Sequence, residues 1–179
     1  LMKVKLAALA LATTVGLSAN AYADDGKIDF TGNIIEAGCT VDSTLTTPQT
    51  VKLGDVAKTA FNGAGTTAAN TRFILALSNC PDALKSKAVV VKYDGTPDST
   101  NGDYLQLTGY GTAGVAKGVA IQLLNASGTA LPLATSSEAK NISATGDAKL
   151  TFFARYIATD AVVSAGTANS TVNFTLAYN

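Results

Sequence analysis

The sequence predicts an all-β fold, built as a single antiparallel sandwich. Three observations carry this reading. Apolar residues recur mostly with period two rather than 3.6, as they do on half-buried strands. Clusters of turn residues separate the alternating runs, at Asp94-Gly95-Thr96-Pro97, Asn101-Gly102-Asp103, Ser127-Gly128 and Thr145-Gly146-Asp147. No helical pattern intervenes between successive runs, which favours a sandwich over βαβ units.

The elements follow in order. Lys3 and Lys5 open the chain, Leu6 to Leu17 is uncharged and apolar or small, and Ala21-Tyr22-Ala23 offers small residues where a signal peptidase reads. Residues 1–23 are therefore expected to be a secretory signal peptide. Their apolar run is about twelve residues, short of the roughly twenty that a membrane span needs. The expected mature chain opens with an alternating run, Ile28, Phe30, Gly32 and Ile34 against Lys27, Asp29, Thr31 and Asn33. Val51 to Leu53 is a shorter candidate strand. Ala57 to Asn70 is rich in Ala, Thr and Gly, and its pattern fits a loop or a short helix equally. Thr71 to Cys80 places Phe73, Leu75 and Leu77 on one face and Ile74, Ala76 and Ser78 on the other. Ala88 to Tyr93 is a β-branched run through Val89, Val90 and Val91. Gly118 to Leu124 carries Val119, Ile121 and Leu123, and Leu150 to Ala158 carries Phe152, Phe153, Tyr156 and Ile157. The last run alternates most cleanly, with Val172, Phe174, Leu176 and Tyr178 against Thr171, Asn173, Thr175 and Ala177. No linker or internal repeat divides the runs, so one domain is expected.

Composition excludes several functions. Among 179 residues, 13 are Lys or Arg, 13 are Asp or Glu, and none is His. A nucleic-acid binder needs a basic face, which this balance and the scattered Lys do not supply. Without His the commonest general base and metal ligand is missing. The chain is 47% apolar, too much for a disordered segment. Asp94, Asp98 and Asp103 match no EF-hand spacing and read as solvated turn acids. No Gly-rich loop joins a strand to a helix as a phosphate cradle would. No catalytic, cofactor or metal residue is expected, and the chain is not read as an enzyme. Arg72 and Arg155 read as surface or strand-end residues, Tyr104 and Tyr110 as side chains packed at strand ends. Cys39 and Cys80 are the only cysteines. Export favours a disulfide between them, and no C-x-x-C spacing suggests a redox pair. Closing a loop of about 41 residues should stabilise by roughly 4 kcal/mol in the chain-entropy account.

Lys27–Ile34 and Val172–Tyr178 are amphipathic strands at the two ends of the expected mature chain. Both fit ordinary edge strands. An exposed apolar strand at a terminus is also a template for pairing with another chain.

Several segments then carry a family likeness. Gly32 stands seven residues before Cys39 within Ile28-Asp29-Phe30-Thr31-Gly32-Asn33-Ile34-Ile35. Gly38-Cys39-Thr40-Val41 and Leu77-Ser78-Asn79-Cys80 surround the cysteines. Gly118–Leu124 and Phe153–Thr159 form a middle and a late strand, and Gly166 and Tyr178 stand fourteenth and second from the end. In this order the chain resembles the structural pilins of chaperone–usher fimbriae, near the type 1 fimbrial subunits.

The resemblance implies an immunoglobulin-like sandwich that lacks its final strand and is completed by a donor strand from another chain. Residues 24–36 would be the N-terminal donor-strand extension and residues 37–179 the pilin domain. Ile28, Phe30 and Ile34 would be the large plugs of the donor strand and Gly32 its small member. Gly166, Val172, Phe174, Leu176 and Tyr178 would belong to the acceptor groove and chaperone-binding strand. Implied partners are a periplasmic chaperone that lends a strand, an outer-membrane usher, and other pilin subunits in a homopolymer; strand lending by these chaperones is a known instance of strand addition. The implied location is a fimbrium on the cell surface, reached through the periplasm, where the subunit supports adhesion. The lead before the donor row, Asp24-Asp25-Gly26, is shorter than in major shaft subunits and looks like that of linker subunits. A shaft subunit is the implied role, with a minor adaptor or tip-proximal subunit as the alternative and a carbohydrate-binding adhesin behind both. The last residue is Asn where the family usually has Gln.

Overall fold

A computed structural model describes residues 27–44 and 46–179. They divide into two units, residues 27–34 falling in the first and residues 35–179 forming the second. The expected signal peptide, residues 1–23, lies outside the described residues, as do Asp24, Asp25 and Gly26 of the expected donor extension.

Among the described residues the second unit has seven strands, β1 (Thr40–Val41), β2 (Thr67–Ser78), β3 (Ala88–Asp94), β4 (Val119–Leu124), β5 (Lys140–Asn141), β6 (Ala148–Ala158) and β7 (Asn173–Tyr178). One sheet runs β1-β2-β6-β4 and the other β5-β3-β7, and every pairing is antiparallel. The long pair β2–β6 sets the register of the first sheet, with Phe73 opposite Phe152 and Leu75 opposite Leu150. Period-two alternation then turns Leu75, Leu77, Leu150 and Phe152 inward, where they join Val89, Val91 and Tyr93 of the second sheet in one core. β4 is buried on both faces, Ala120 and Leu124 included. An aromatic cluster ties the sheets together. Tyr93 lies edge-on to Phe152 at 5.3 Å and to Phe174 at 6.3 Å between ring centres, and Phe73 packs on Phe152 at 5.7 Å. Cys39 and Cys80 form a disulfide that fastens the approach to β1 onto the end of β2.

Several expectations change. Val51–Leu53 is not a strand: Leu53 packs half-buried on the core, but its backbone has no ladder partner among the described residues. The undecided stretch 57–70 resolves into a 3₁₀ turn at Lys58–Ala60 and the first residues of β2, which begins at Thr67 rather than Thr71. The pairing register shifts between Ala68 and Thr71, where Ala69 adopts a left-handed φ of 60°. Such an irregularity breaks the two-residue period and hides the strand from pattern reading. Asp98 is 4% exposed rather than solvated, and its Oδ1 accepts the N–H groups of Thr100 and Asn101. Arg155 lies within β6, where its Nε donates to Oε1 of buried Gln122 across the β4–β6 ladder at 2.8 Å.

Tyr93 is 3% exposed and its hydroxyl has no hydrogen-bond partner among the described residues. Burial pushes this phenol well above its ordinary value. Tyr93→Phe removes the stranded group but keeps the ring, and is expected to stabilise the domain by about 1 kcal/mol, read as a higher urea midpoint. The unfolded phenol ionises near pH ~10 and the folded one only above that, so wild-type stability should fall as pH rises past ~10, and fall less in the variant.

Candidate strand-acceptor edge and donor segment

β7 borders the second sheet and is paired on one side only, to β3, from Val89 opposite Tyr178 to Asp94 opposite Asn173. Asn179 and Ala88 exchange both backbone hydrogen bonds, at 2.8 and 3.1 Å. Because bonded and non-bonded pairs alternate along an antiparallel ladder, Ala177, Thr175 and Asn173 also turn their backbone groups to β3. The N–H and C=O groups of Phe174, Leu176 and Tyr178 therefore point the other way. Among the described residues, none of the three makes a backbone hydrogen bond on that side. Their side chains, with that of Val172, are half-buried against the core. One row of residues thus presents an unfinished ladder and an unfinished apolar wall together.

The border strand β4 has the opposite fate. β4 borders the first sheet, yet Leu105 and Ile121 exchange backbone bonds of 2.8 and 3.0 Å along it, and Leu131 donates to Leu123 at 2.9 Å. Its outer side is covered by neighbouring loop segments, the usual protection for a strand of this kind.

Gly166 belongs to the segment leading into β7 rather than to the strand itself. Thr167 donates to Gly114 at 2.8 Å and accepts from Ala116 at 3.0 Å, pressing this segment onto residues 114–116. A Cβ at position 166 would lie 2.8 Å from the Gly114 oxygen and 2.5 Å from the Val115 carbonyl carbon. Gly166 also lines a cavity of about 410 Å³ with Val56, Phe61, Val119, Tyr156 and Val163. The Tyr156 hydroxyl donates to the Ala168 carbonyl at 3.1 Å, and burial, then the Asp55 carboxylate, raises that phenol above its usual range. Pattern reading missed Val56, Phe61 and this cavity, because these two residues lie in non-strand segments with no period to detect.

In the first unit, Ile28, Phe30 and Ile34 are 78%, 92% and 102% exposed, and none of residues 27–34 is in a strand. Lys27 and Asp29 form an exposed ion pair at 2.8 Å, a contact of little energetic weight. A Cβ on Gly32 would meet nothing within 4 Å. Three large apolar side chains in eight exposed residues are far from the norm for a soluble surface. Among the described residues no cluster of three or more His, Cys, Asp or Glu could hold a metal, and no helix is long and apolar enough to cross a membrane.

A family model described as fimbrial protein matches residues 28–179. The chain belongs to this fimbrial family. It is 34% identical over 176 residues to the probable major fimbrial subunit LpfA of Escherichia coli O157:H7, covering 98% of this chain and 96% of that protein. It is 32% identical over 186 residues to the fimbrial subunit type 1 of Salmonella typhimurium, covering 99% and 100%. Among solved structures, a Burkholderia pseudomallei antigen and type I fimbria protein superposes with a TM-score of 0.59 at 41% identity, covering 84% of this chain and 96% of that one. The P pilus rod subunit PapA superposes with a TM-score of 0.63 at 22% identity, covering 80% and 100%, a likeness of fold. This fimbrial subunit is a structural protein of a family without enzymatic activity, exported to a fimbrium on the cell surface. Its sandwich is immunoglobulin-like and incomplete beside β7. Gly166→Ala is expected to destabilise it by about 1–3 kcal/mol through overpacking, seen as a lower urea midpoint with an unchanged slope.

Proposed function

We propose that this fimbrial subunit polymerises by donor-strand exchange. Residues 24–36 of one copy act as the donor extension and lie along β7 of the next copy, whose residues 37–179 form the acceptor domain. The observation that carries the reading is the edge of β7, where Phe174, Leu176 and Tyr178 offer outward backbone groups and half-buried side chains at once. Main-chain bonds to that edge supply affinity, and alternate side chains seated along it supply specificity. Ile28, Phe30 and Ile34 are the plugs. Burying each stabilises by about 1.5–3 kcal/mol, roughly 5–9 together before the ladder bonds and the cost of ordering. Gly32 is the member of the row that permits close backbone approach. Lys27 to Glu36 spans about 33 Å when extended, enough to run the length of a sandwich.

The contact is head-to-tail and does not close on itself, so it builds a filament. Before assembly a periplasmic chaperone lends its own strand to the same edge, and an outer-membrane usher exchanges that strand for the extension of the next subunit. Homopolymeric shaft subunit is the preferred role, supported by 34% identity to a probable major fimbrial subunit. The short lead Asp24-Asp25-Gly26 favours a minor adaptor or tip-proximal place instead.

Deleting residues 24–35 is expected to leave a subunit that the chaperone still captures but that extends no fibre. Electron micrographs of cells producing chaperone and usher decide this. Full-length fibres from the deletion variant refute the donor assignment, and absence of long fibres from the intact subunit favours the adaptor role. Phe174→Asp, which sets a charge on the acceptor wall, is expected to abolish chaperone capture and cut periplasmic accumulation at least about tenfold, as an unpaired charge in an apolar site would. Wild-type accumulation, measured by immunoblot, counts against the acceptor edge.

A further inference from the structure

The two ends of the domain meet at Tyr178. Its hydroxyl accepts the Cys39 N–H at 3.2 Å, across 139 residues of sequence. The ring also lies over Gly38: a Cβ there would sit 3.1 Å from the phenol oxygen, tighter than side chains normally pack, and in ordinary contact with Cε2 at 3.7 Å. Cys39 is held from its other side by the disulfide to Cys80, and β1 starts at the next residue, Thr40. Cys39 and β1 after it are held, while Glu36 and Ala37 before them are exposed. Gly38–Cys39 is thus the root from which the preceding exposed residues depart.

Tyr178 is also the end of the acceptor edge. Its side chain reaches the root, while its own N–H and C=O face the unpaired side of β7. A strand laid along that side bonds these groups and removes the freedom of the residue that carries the ring. We infer that Tyr178 is a positioning residue that couples the two interfaces of a subunit: filling the edge of β7 steadies Tyr178, and Tyr178 then fixes the root of that subunit's own donor segment. This rests on the donor-strand reading above. Its consequence is directional, because a subunit that has received a strand presents its own from a fixed point, and one that has not does so from a looser one. The effect has the size of one hydrogen bond, about fivefold in the persistence of the Cys39 contact.

The test measures hydrogen exchange at the Cys39 amide of the full subunit, freed of chaperone, with and without a peptide of residues 27–36. Melting temperature reports whether the peptide fills the edge, since a ligand of the folded state raises it. In the wild type the peptide is expected to raise the melting temperature and slow Cys39 exchange about fivefold. In Tyr178→Phe, which keeps the ring, the peptide should still raise the melting temperature but leave Cys39 exchange unchanged. Gly38→Ala, which pushes on the ring without altering Tyr178, should lose the response in the same way. A raised melting temperature with no slowing in the wild type, or with equal slowing in Tyr178→Phe, overturns the coupling and leaves donor-strand exchange standing. An unchanged wild-type melting temperature overturns donor-strand exchange and the coupling with it.

Discussion

A β-strand is stable only when both rows of its backbone groups find partners and its apolar face is covered. β7 meets half of each condition. Its ladder to β3 is complete from Asn173 to Tyr178, while Phe174, Leu176 and Tyr178 turn their remaining polar groups away from it. Their side chains rest on the core without being enclosed. An edge of this kind is a hazard in a monomer and an asset in a polymer, because the free energy withheld from the isolated domain becomes available when another strand arrives.

The other long border, β4, is completed within the chain. β4, the border of the first sheet, is covered by Leu105 and Leu131 and buried on both faces. The disulfide closes the approach to β1 onto β2. The cluster of Phe73, Phe152, Tyr93 and Phe174 joins the two sheets, and through Phe174 it carries the core out to the incomplete edge. A strand joining that edge would therefore continue an existing core rather than found a new one. The stranded Tyr93 hydroxyl in the same cluster is a cost that packing of the ring outweighs.

Gly166 and Tyr178 illustrate two ways in which a residue near an unpaired strand edge can act beyond the apolar area it supplies. Gly166 lets the segment before β7 lie on the backbone of residues 114–116, where any side chain would collide. Tyr178 reaches across to Cys39 and so joins the end of β7 to the approach to β1. Neither contact is visible in a strand pattern, and both lie beside the row of residues to which hydrophobic periodicity points.

Alternation and turn chemistry alone determined the all-β class and located β3, β4, β6 and β7 to within a few residues. These are local signals, written in the side chains of each run. The cysteine count together with the expected export determined the pairing of Cys39 with Cys80 in the same way. Only the tertiary structure decided that Val51–Leu53 has no partner, that β2 continues through an irregularity to Thr67, and that Asp98 is buried. It also decided that the border at β7 stays unpaired while the border at β4 is covered. The physical reason is common to all of these: a period-two pattern reports which face of a strand is apolar, whereas a ladder partner, a close backbone approach or a capped carboxylate depends on residues brought together from distant parts of the chain.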